Sequence, residues 1–383
     1  MPRFLAQVWG EQPLRVRGSP RRFANLFNWR ILNELLATHR LEPPRLRLAQ
    51  SGGEPLDLQS FLQYRAGRDR RRRPWLDVRR LNTLLARGAT LILGEVQDMH
   101  PPLAALTREF ARLFAAEPNV NLYAAFGRQR GFGPHWDDHD VFILQIAGEK
   151  RWLLYGPNRP YPLFRDVRPN DLQPARPLVR HRLKPGDLLY IPRGHWHDAV
   201  AVSEPTLHLT LGIPAVTAVD YLQWLGDDLC AIESMRRNVP LFDAERRTRW
   251  LGELQAAIAR RLDDAALERF LGERRANFHP NTRPSLPQAI REAQSLAPDD
   301  LLQWTGAARS FQTVKAGFAI RSGGHEYIFD RRALPLIERL LTGKPISCAR
   351  ILRSYSRKLG AARLRRLLGE LLREHFIMVA PRD

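Results

Sequence analysis

The chain has 383 residues, enough for two or three domains with a sizeable buried core. Two cysteines, Cys230 and Cys348, rule out a disulfide framework and suit a reducing compartment, while no apolar run approaches the roughly 20 residues of a membrane span. Sixty basic against 40 acidic residues give a net charge of +20, which an anionic partner such as RNA or a ribosomal particle would complement.

The N-terminal residues Met1 to Gly10 lack an apolar signal core, so a cytoplasmic location is expected. The run Arg68-Asp-Arg-Arg-Arg-Arg73 lies between apolar segments and reads as an exposed, solvated loop. From Leu103 to Ala116 the apolar residues Leu103, Leu106, Phe110, Leu113 and Phe114 recur at helical spacing. Residues 120 to 214 alternate short apolar strands with Gly, Pro and Asp turns, the pattern of an antiparallel barrel. Val141 to Ile146 and Trp152 to Tyr155 are strands, with Gly148 at the turn between them. Thr206 to Leu211 is a late strand that Pro214 ends. His208 within it reads as a core histidine that could also line the pocket.

From Thr217 to Leu271 the pattern becomes that of amphipathic helices, with Tyr221, Leu222, Trp224 and Leu225, then Leu251, Leu254, Ile258 and Leu262 at three- and four-residue spacing. Such a segment could pair with its copy in a symmetric dimer. Asn277 to Pro287 reads as a linker. A last module has a hairpin near Gly323-Gly324, helices at Leu334 to Leu341, Cys348 to Ser354 and Ala361 to Glu374, and a strand Phe376 to Val379. This order resembles a winged helix. Arg350 to Asp383 holds nine basic and three acidic residues, which suits nucleic acid, although winged helices also dock proteins.

The chemistry resides in two motifs. Gly133-Pro-His135-Trp-Asp137 offers an imidazole and a carboxylate two residues apart, which an extended segment points to one side. Far downstream, Lys184-Pro-Gly-Asp187 forms a turn, Leu188 to Ile191 a buried strand, and Pro192-Arg-Gly194 a second turn before His197. His135, Asp137 and His197 are the side-chain set of the facial triad that holds non-haem Fe(II) and leaves positions open. His195, two residues before His197, is an alternative third ligand. His139 in place of Asp137 would lose the anionic ligand. Lys150 is one of only five lysines among 60 basic residues and could pair with a carboxylate, as could its neighbour Arg151. Asp138 and Asp140 could receive a cationic substrate side chain at the mouth of the site. Phe142, Leu144, Trp152 and Tyr190 would give it apolar walls.

On these residues the chain resembles the JmjC-type 2-oxoglutarate oxygenases, in particular the ribosomal oxygenases. The resemblance is specific from about Asn121 to Ile213. It implies an α+β fold: a double-stranded β-helix (cupin/JmjC) barrel over residues 1–215, a helical dimerisation region with linker over 216–300, and a winged-helix-like domain over 301–383. His135, Asp137 and His197 match the family's iron ligands. Lys150 matches the basic residue for the distal carboxylate of 2-oxoglutarate, and Asn121 matches a position that reaches the same co-substrate. The implied cofactors are Fe(II), 2-oxoglutarate and O2. The implied activity is hydroxylation of an arginine or histidine side chain of a ribosomal protein by a homodimer, with no membrane involved. Two other readings stay open: the same chemistry on a peptide natural-product precursor or small molecule, and a nucleic-acid-binding regulator whose barrel senses a ligand without turnover.

Overall fold

The computed structural model describes residues 2–380 other than 51–52, 67, 69–70, 128–132, 164–174, 204, 278–283, 291–295, 306–311, 316 and 323–324. Part of the arginine run, much of the linker and the tip of the C-terminal hairpin lie outside the described residues. Two compact units are present. The first comprises residues 1–110 and 117–215, the second residues 111–116 and 216–383.

The first unit contains β1 (Leu14–Val16), β2 (Leu46–Ala49), β3 (Leu62–Ala66), β4 (Arg72–Leu76), β5 (Thr90–Leu93) and β6 (Asn119–Ala125). There follow β7 (Asp140–Ala147), β8 (Lys150–Pro157), β9 (Val179–Leu183), β10 (Leu188–Ile191), β11 (His195–Ala201) and β12 (Thr206–Ile213). A seven-stranded sheet runs β1-β10-β7-β12-β6-β5-β2, and a three-stranded sheet runs β11-β8-β9. Every pairing in them is antiparallel. The two sheets face each other as the walls of a double-stranded β-helix, and β3 pairs with β4 in a separate hairpin.

Alternation along these strands sorts side chains between the barrel interior and the outside. Asn121, Tyr123 and Ala125 of β6 face inward, while Val120, Leu122 and Ala124 are buried on the other face. On β7 the inward residues are Val141 and Ile143. Phe142 and Leu144, expected as walls of the site, have the opposite parity. Phe142 instead joins Phe4, Trp9, Phe110 and Tyr190 in an aromatic cluster outside the cavity. Of the four expected wall residues, only Trp152 lines it.

The N-terminal segment is fastened to the β9–β10 turn. Gly186 takes φ +90°, and a Cβ there would sit 1.9 Å from the Ser19 carbonyl oxygen. The buried Asp187 carboxylate accepts hydrogen bonds from Arg15 (2.7 Å), the Gly18 amide (3.1 Å) and the Lys184 amide (3.1 Å). Burial alone would raise its pKa, but these donors outweigh it and hold the carboxyl below its ordinary range.

The second unit begins with helices at Ala218–Leu229, Ala244–Ala259 and Asp264–Asn277. Thr217 and Asp220 close a reciprocal capping box on the first. Tyr221, Trp224 and Phe270 pack together, and Trp224 donates to Glu273 at 2.7 Å. Helices at Leu334–Leu341, Cys348–Leu359 and Ala361–Arg373 surround a three-stranded sheet in which Leu301–Trp304 lies between Ile346–Ser347 and Ile377–Val379. Strands Gly317–Ser322 and His325–Phe329 pair on either side of Gly323-Gly324.

Replacing Gly186 with Ala should cost more than about 2 kcal/mol, because a left-handed backbone and a carbonyl both oppose the methyl group. Gly10→Ala, at φ +75° with open space around it, should cost about 1 kcal/mol. Asp187→Ala should cost about 2 kcal/mol, a loss that fades at acid pH as the wild-type carboxylate is protonated. Denaturant unfolding at neutral and acid pH checks all three.

Candidate metal and co-substrate site

His135 and Asp137 precede β7, on a loop rather than on a regular strand. Backbone hydrogen bonds hold that loop to the start of β11. The His135 amide donates to the His197 carbonyl at 3.0 Å, and the His197 amide donates to the His135 carbonyl at 2.7 Å. The Gly194 amide donates to the Asp137 carbonyl at 2.8 Å. Gly194 has φ +77°, and a Cβ on it would meet Pro162 at 2.6 Å. The Pro192-Arg-Gly194 turn therefore aims an amide at the loop carrying the other two residues.

One potential ligand atom from each of His135, Asp137 and His197 lies within 4.8 Å of the others. The imidazole rings of His135 and His197 are 4.4 Å apart, and His197 Nε2 is 3.6 Å from an Asp137 carboxylate oxygen. Each histidine engages a backbone carbonyl through Nδ1: His135 with Gly133 at 2.9 Å and His197 with His195 at 3.0 Å. When Nδ1–H donates, Nε2 presents its lone pair, which is the tautomer a metal ligand requires. Burial, assisted by nearby His135, lowers the His197 pKa to about 4 and favours the neutral imidazole. Two imidazoles and one carboxylate on one side of a pocket fit a divalent iron ion with open positions.

The rival ligands are placed elsewhere. A β-bulge between Trp196 and His197 breaks the alternation along β11, and His195 does not line the cavity. His139 lines it, but its Nδ1 is engaged by Asp138 at 2.9 Å. Neither Asp138 nor Asp140 reaches the cavity wall. Asp140 is buried and accepts a hydrogen bond from the Tyr190 hydroxyl at 2.5 Å, so it cannot wait at the mouth for a cationic substrate. Sequence proximity to Asp137 was misleading, because entry into β7 turns Asp140 away.

The cavity holds about 130 Å³ beside the triad. Lys150, at the start of β8, lines it and is only 6% exposed. No ion pair to Lys150 is found among the described residues. Burial lowers its pKa to about 7. Arg151, the other basic candidate, faces solvent because it is the next residue along the strand. Asn121 and Thr210, paired across β6 and β12, also line the cavity.

Tyr123 and His208 complete that wall. Their rings stack at 4.9 Å, and Trp152 and His208 meet edge-to-face at 5.6 Å. Burial raises the Tyr123 pKa to about 12, and burial followed by nearby Lys150 lowers that of His208. The sequence pattern left His208 between the core and the pocket wall, and passed over Tyr123 and Thr210. Two-residue spacing along the strands that also carry Asn121 and His208 was the available signal.

Residues 97–221 match the JmjC domain family. The bifunctional lysine-specific demethylase and histidyl-hydroxylase of Culex quinquefasciatus is 30% identical over 219 residues, 55% of this chain and 32% of the relative. Ribosomal oxygenase 2 of Rattus norvegicus is 37% identical over 125 residues, 32% of this chain and 27% of the relative. The chain thus spans about a third of the length of these curated relatives. The Escherichia coli ribosomal oxygenase YcfD superposes with a TM-score of 0.62 at 18% identity, covering 99% of this chain and 98% of that one. Its complex with cobalt and 2-oxoglutarate gives 0.60 at 17% identity, covering 98% and 97%. Residues 97–221 are therefore a JmjC domain, on a fold shared along the chain with a bacterial ribosomal oxygenase.

Proposed function

We propose that the protein is an Fe(II)- and 2-oxoglutarate-dependent dioxygenase that hydroxylates an arginine or histidine side chain of a ribosomal protein. The observation that carries this reading is the convergence of His135, Asp137 and His197 beside a cavity containing a buried lysine. Fe(II), 2-oxoglutarate and O2 together supply the oxidising power to hydroxylate an unactivated C–H, releasing succinate and CO2. The protein contributes binding, orientation and exclusion of competing reactions.

Each side chain has a definite task. His135, Asp137 and His197 hold the metal, and the carbonyls of Gly133 and His195 fix the imidazole orientation. Lys150 supplies the positive charge for the distal carboxylate of 2-oxoglutarate, with the Asn121 amide as a second polar contact. Trp152, Val141 and Ile143 keep the surroundings apolar, which strengthens that pairing. The relatives' names support a ribosomal protein substrate. A peptide precursor or small molecule remains the second enzymatic reading. A ligand sensor would use the same triad to bind metal but would form no succinate, so turnover separates it from both enzymatic readings.

The helices over 216–300 are proposed to form a homodimer, and residues 301–383 to act as a winged-helix-like docking module. Leu241 and Phe242 are strongly exposed on the first of these segments, which suits a partner surface. The basic surface is proposed to meet ribosomal RNA, and the cytoplasm is the expected location.

His135→Ala should remove bound Fe(II) and lower succinate formation by at least about a hundredfold. Metal analysis and turnover, with and without a ribosomal protein extract, check this; stimulation by the extract followed by a mass gain of one oxygen would identify the substrate. Turnover indifferent to the extract would favour the small-molecule reading.

Lys150 also makes 2-oxoglutarate affinity depend on pH. Below pH 7 the free lysine is charged and ready for a carboxylate. Above it the neutral form dominates, and binding must recruit a proton. Affinity should weaken as pH rises past about 7, by at most about tenfold per unit, with uptake of nearly one proton. Titration calorimetry at pH 8 in buffers of different ionisation enthalpy measures that uptake, and a pH-independent affinity would remove Lys150 from the assignment.

Sedimentation equilibrium should give twice the 44.1 kDa of one chain, and Phe242→Glu should shift the equilibrium toward that single-chain mass.

A further inference from the structure

A buried carboxylate joins the two segments that carry the metal ligands. Asp140 is the first residue of β7, just beyond Asp137. Its side chain accepts hydrogen bonds from the Tyr190 hydroxyl at 2.5 Å and from the Arg193 backbone amide. Arg193 belongs to the turn before His197, and Gly194 beside it donates to the Asp137 carbonyl. The Tyr190 hydroxyl accepts in turn from the Gly10 amide at 2.7 Å. Trp9 stacks on the Tyr190 ring at 5.4 Å, and Phe4 makes a T-shaped contact with it at 5.1 Å. A second route runs through Arg193, whose guanidinium lies 5.7 Å from the Tyr161 ring centroid. The Tyr161 hydroxyl donates to Glu11 at 3.2 Å.

The direction of the relay is fixed. The Gly10 amide can only donate, so the Tyr190 oxygen accepts there and its single proton goes to Asp140. The Arg193 amide is a donor as well. The place between them calls for a group that accepts from both sides and donates to neither. A carboxylate does this, whereas an asparagine would bring an NH2 group among donors. The charge is costly: burial raises the Asp140 pKa, and the bonds from Tyr190 and Arg193 offset only part of that. An apolar side chain could fill the same place in a barrel that needed only to close. The carboxylate supplies instead one joint between the N-terminal segment, the loop of His135 and Asp137, and the turn before His197. Neither Asp140 nor Tyr190 lines the cavity, so any effect on the site passes through the ligands they hold. Metal ligands must be kept within about 0.5 Å of their working geometry, which such a joint can secure.

We propose that Asp140 and Tyr190 are positioning residues of the metal site, through which the N-terminal segment around Trp9 and Gly10 holds both ligand-bearing segments in register. This role presupposes the metal reading of the triad. The start of the chain, far from the triad in sequence, is thereby part of what sets metal affinity.

The test is a Co(II) titration of the full chain, followed by visible absorption, at a temperature where circular dichroism shows every variant folded. Asp140→Asn and Tyr190→Phe should each weaken Co(II) binding about tenfold and alter the absorption bands. Combined, they should weaken it little more than either alone, because they break one relay. Trp9→Leu should act in the same direction, and should add nothing in the Tyr190→Phe background. Binding of 2-oxoglutarate to the Co(II)-saturated variants should match wild type, since Lys150 and Asn121 are untouched. Leu122→Ala, on the face of β6 away from the cavity, supplies a destabilised control that should keep wild-type Co(II) affinity. Co(II) affinity unchanged by Asp140→Asn and Tyr190→Phe would overturn the proposal, as would an equal loss in Leu122→Ala. A wild-type chain that binds no Co(II) would overturn the metal reading itself, and the positioning role with it.

Discussion

The reciprocal pair of backbone hydrogen bonds between His135 and His197 is the constraint on which the site depends. The two residues belong to chain segments separated by four strands, β7 to β10, yet each donates its amide to the other's carbonyl. Side chains at the ends of flexible loops would lose orientation entropy on meeting a metal. Here the loop is already zipped to β11, and the third bond, from Gly194 to Asp137, extends the zipper to the carboxylate. The Nδ1 contacts to Gly133 and His195 continue the same logic into the rings. Backbone geometry thus sets ligand geometry, an arrangement more rigid than side-chain packing alone provides.

Lys150 occupies the opposite extreme. Nothing among the described residues compensates its charge, and the surrounding Trp152, His208 and aliphatic groups make charging costly. A buried, uncompensated cation is a poor contribution to folding and a good one to recognition, because an arriving carboxylate recovers what the fold gave up. The neutral tendency of His208 beside it keeps that pocket from accumulating a second positive charge.

Much of this was legible in the sequence. The convergence of His135, Asp137 and His197 could be read because the turns beside them carry Pro and Gly at positions where the backbone demands them, as Gly194 at φ +77° shows. Gly148 marked the β7–β8 turn, at φ +65°, and the helix Leu334–Leu341 followed directly from apolar spacing. Parity within β7 was not legible. Val141 to Leu144 is apolar throughout, since both faces of the strand are buried there, so nothing in these four residues distinguishes Ile143 from Phe142. His195 was likewise left open, because the β11–β8 bulge that breaks alternation leaves no local sequence mark. Asp140 looked available for substrate until its partner, Tyr190, arrived from a strand far along the chain.

The attachment of the N-terminal segment to Asp187 has a consequence for how the first unit is made. The Arg15–Asp187 contact joins residues 172 apart in sequence, and β1 has β10 as its sheet partner. A chain emerging from its N-terminus must therefore hold Leu14–Val16 without a partner until most of the barrel has been synthesised. The long loop to be closed makes that edge a late step, at an entropic cost that local contacts cannot reduce. Until then, Phe4 and Trp9 stay uncovered, and the nascent barrel is most open to mispairing along β10.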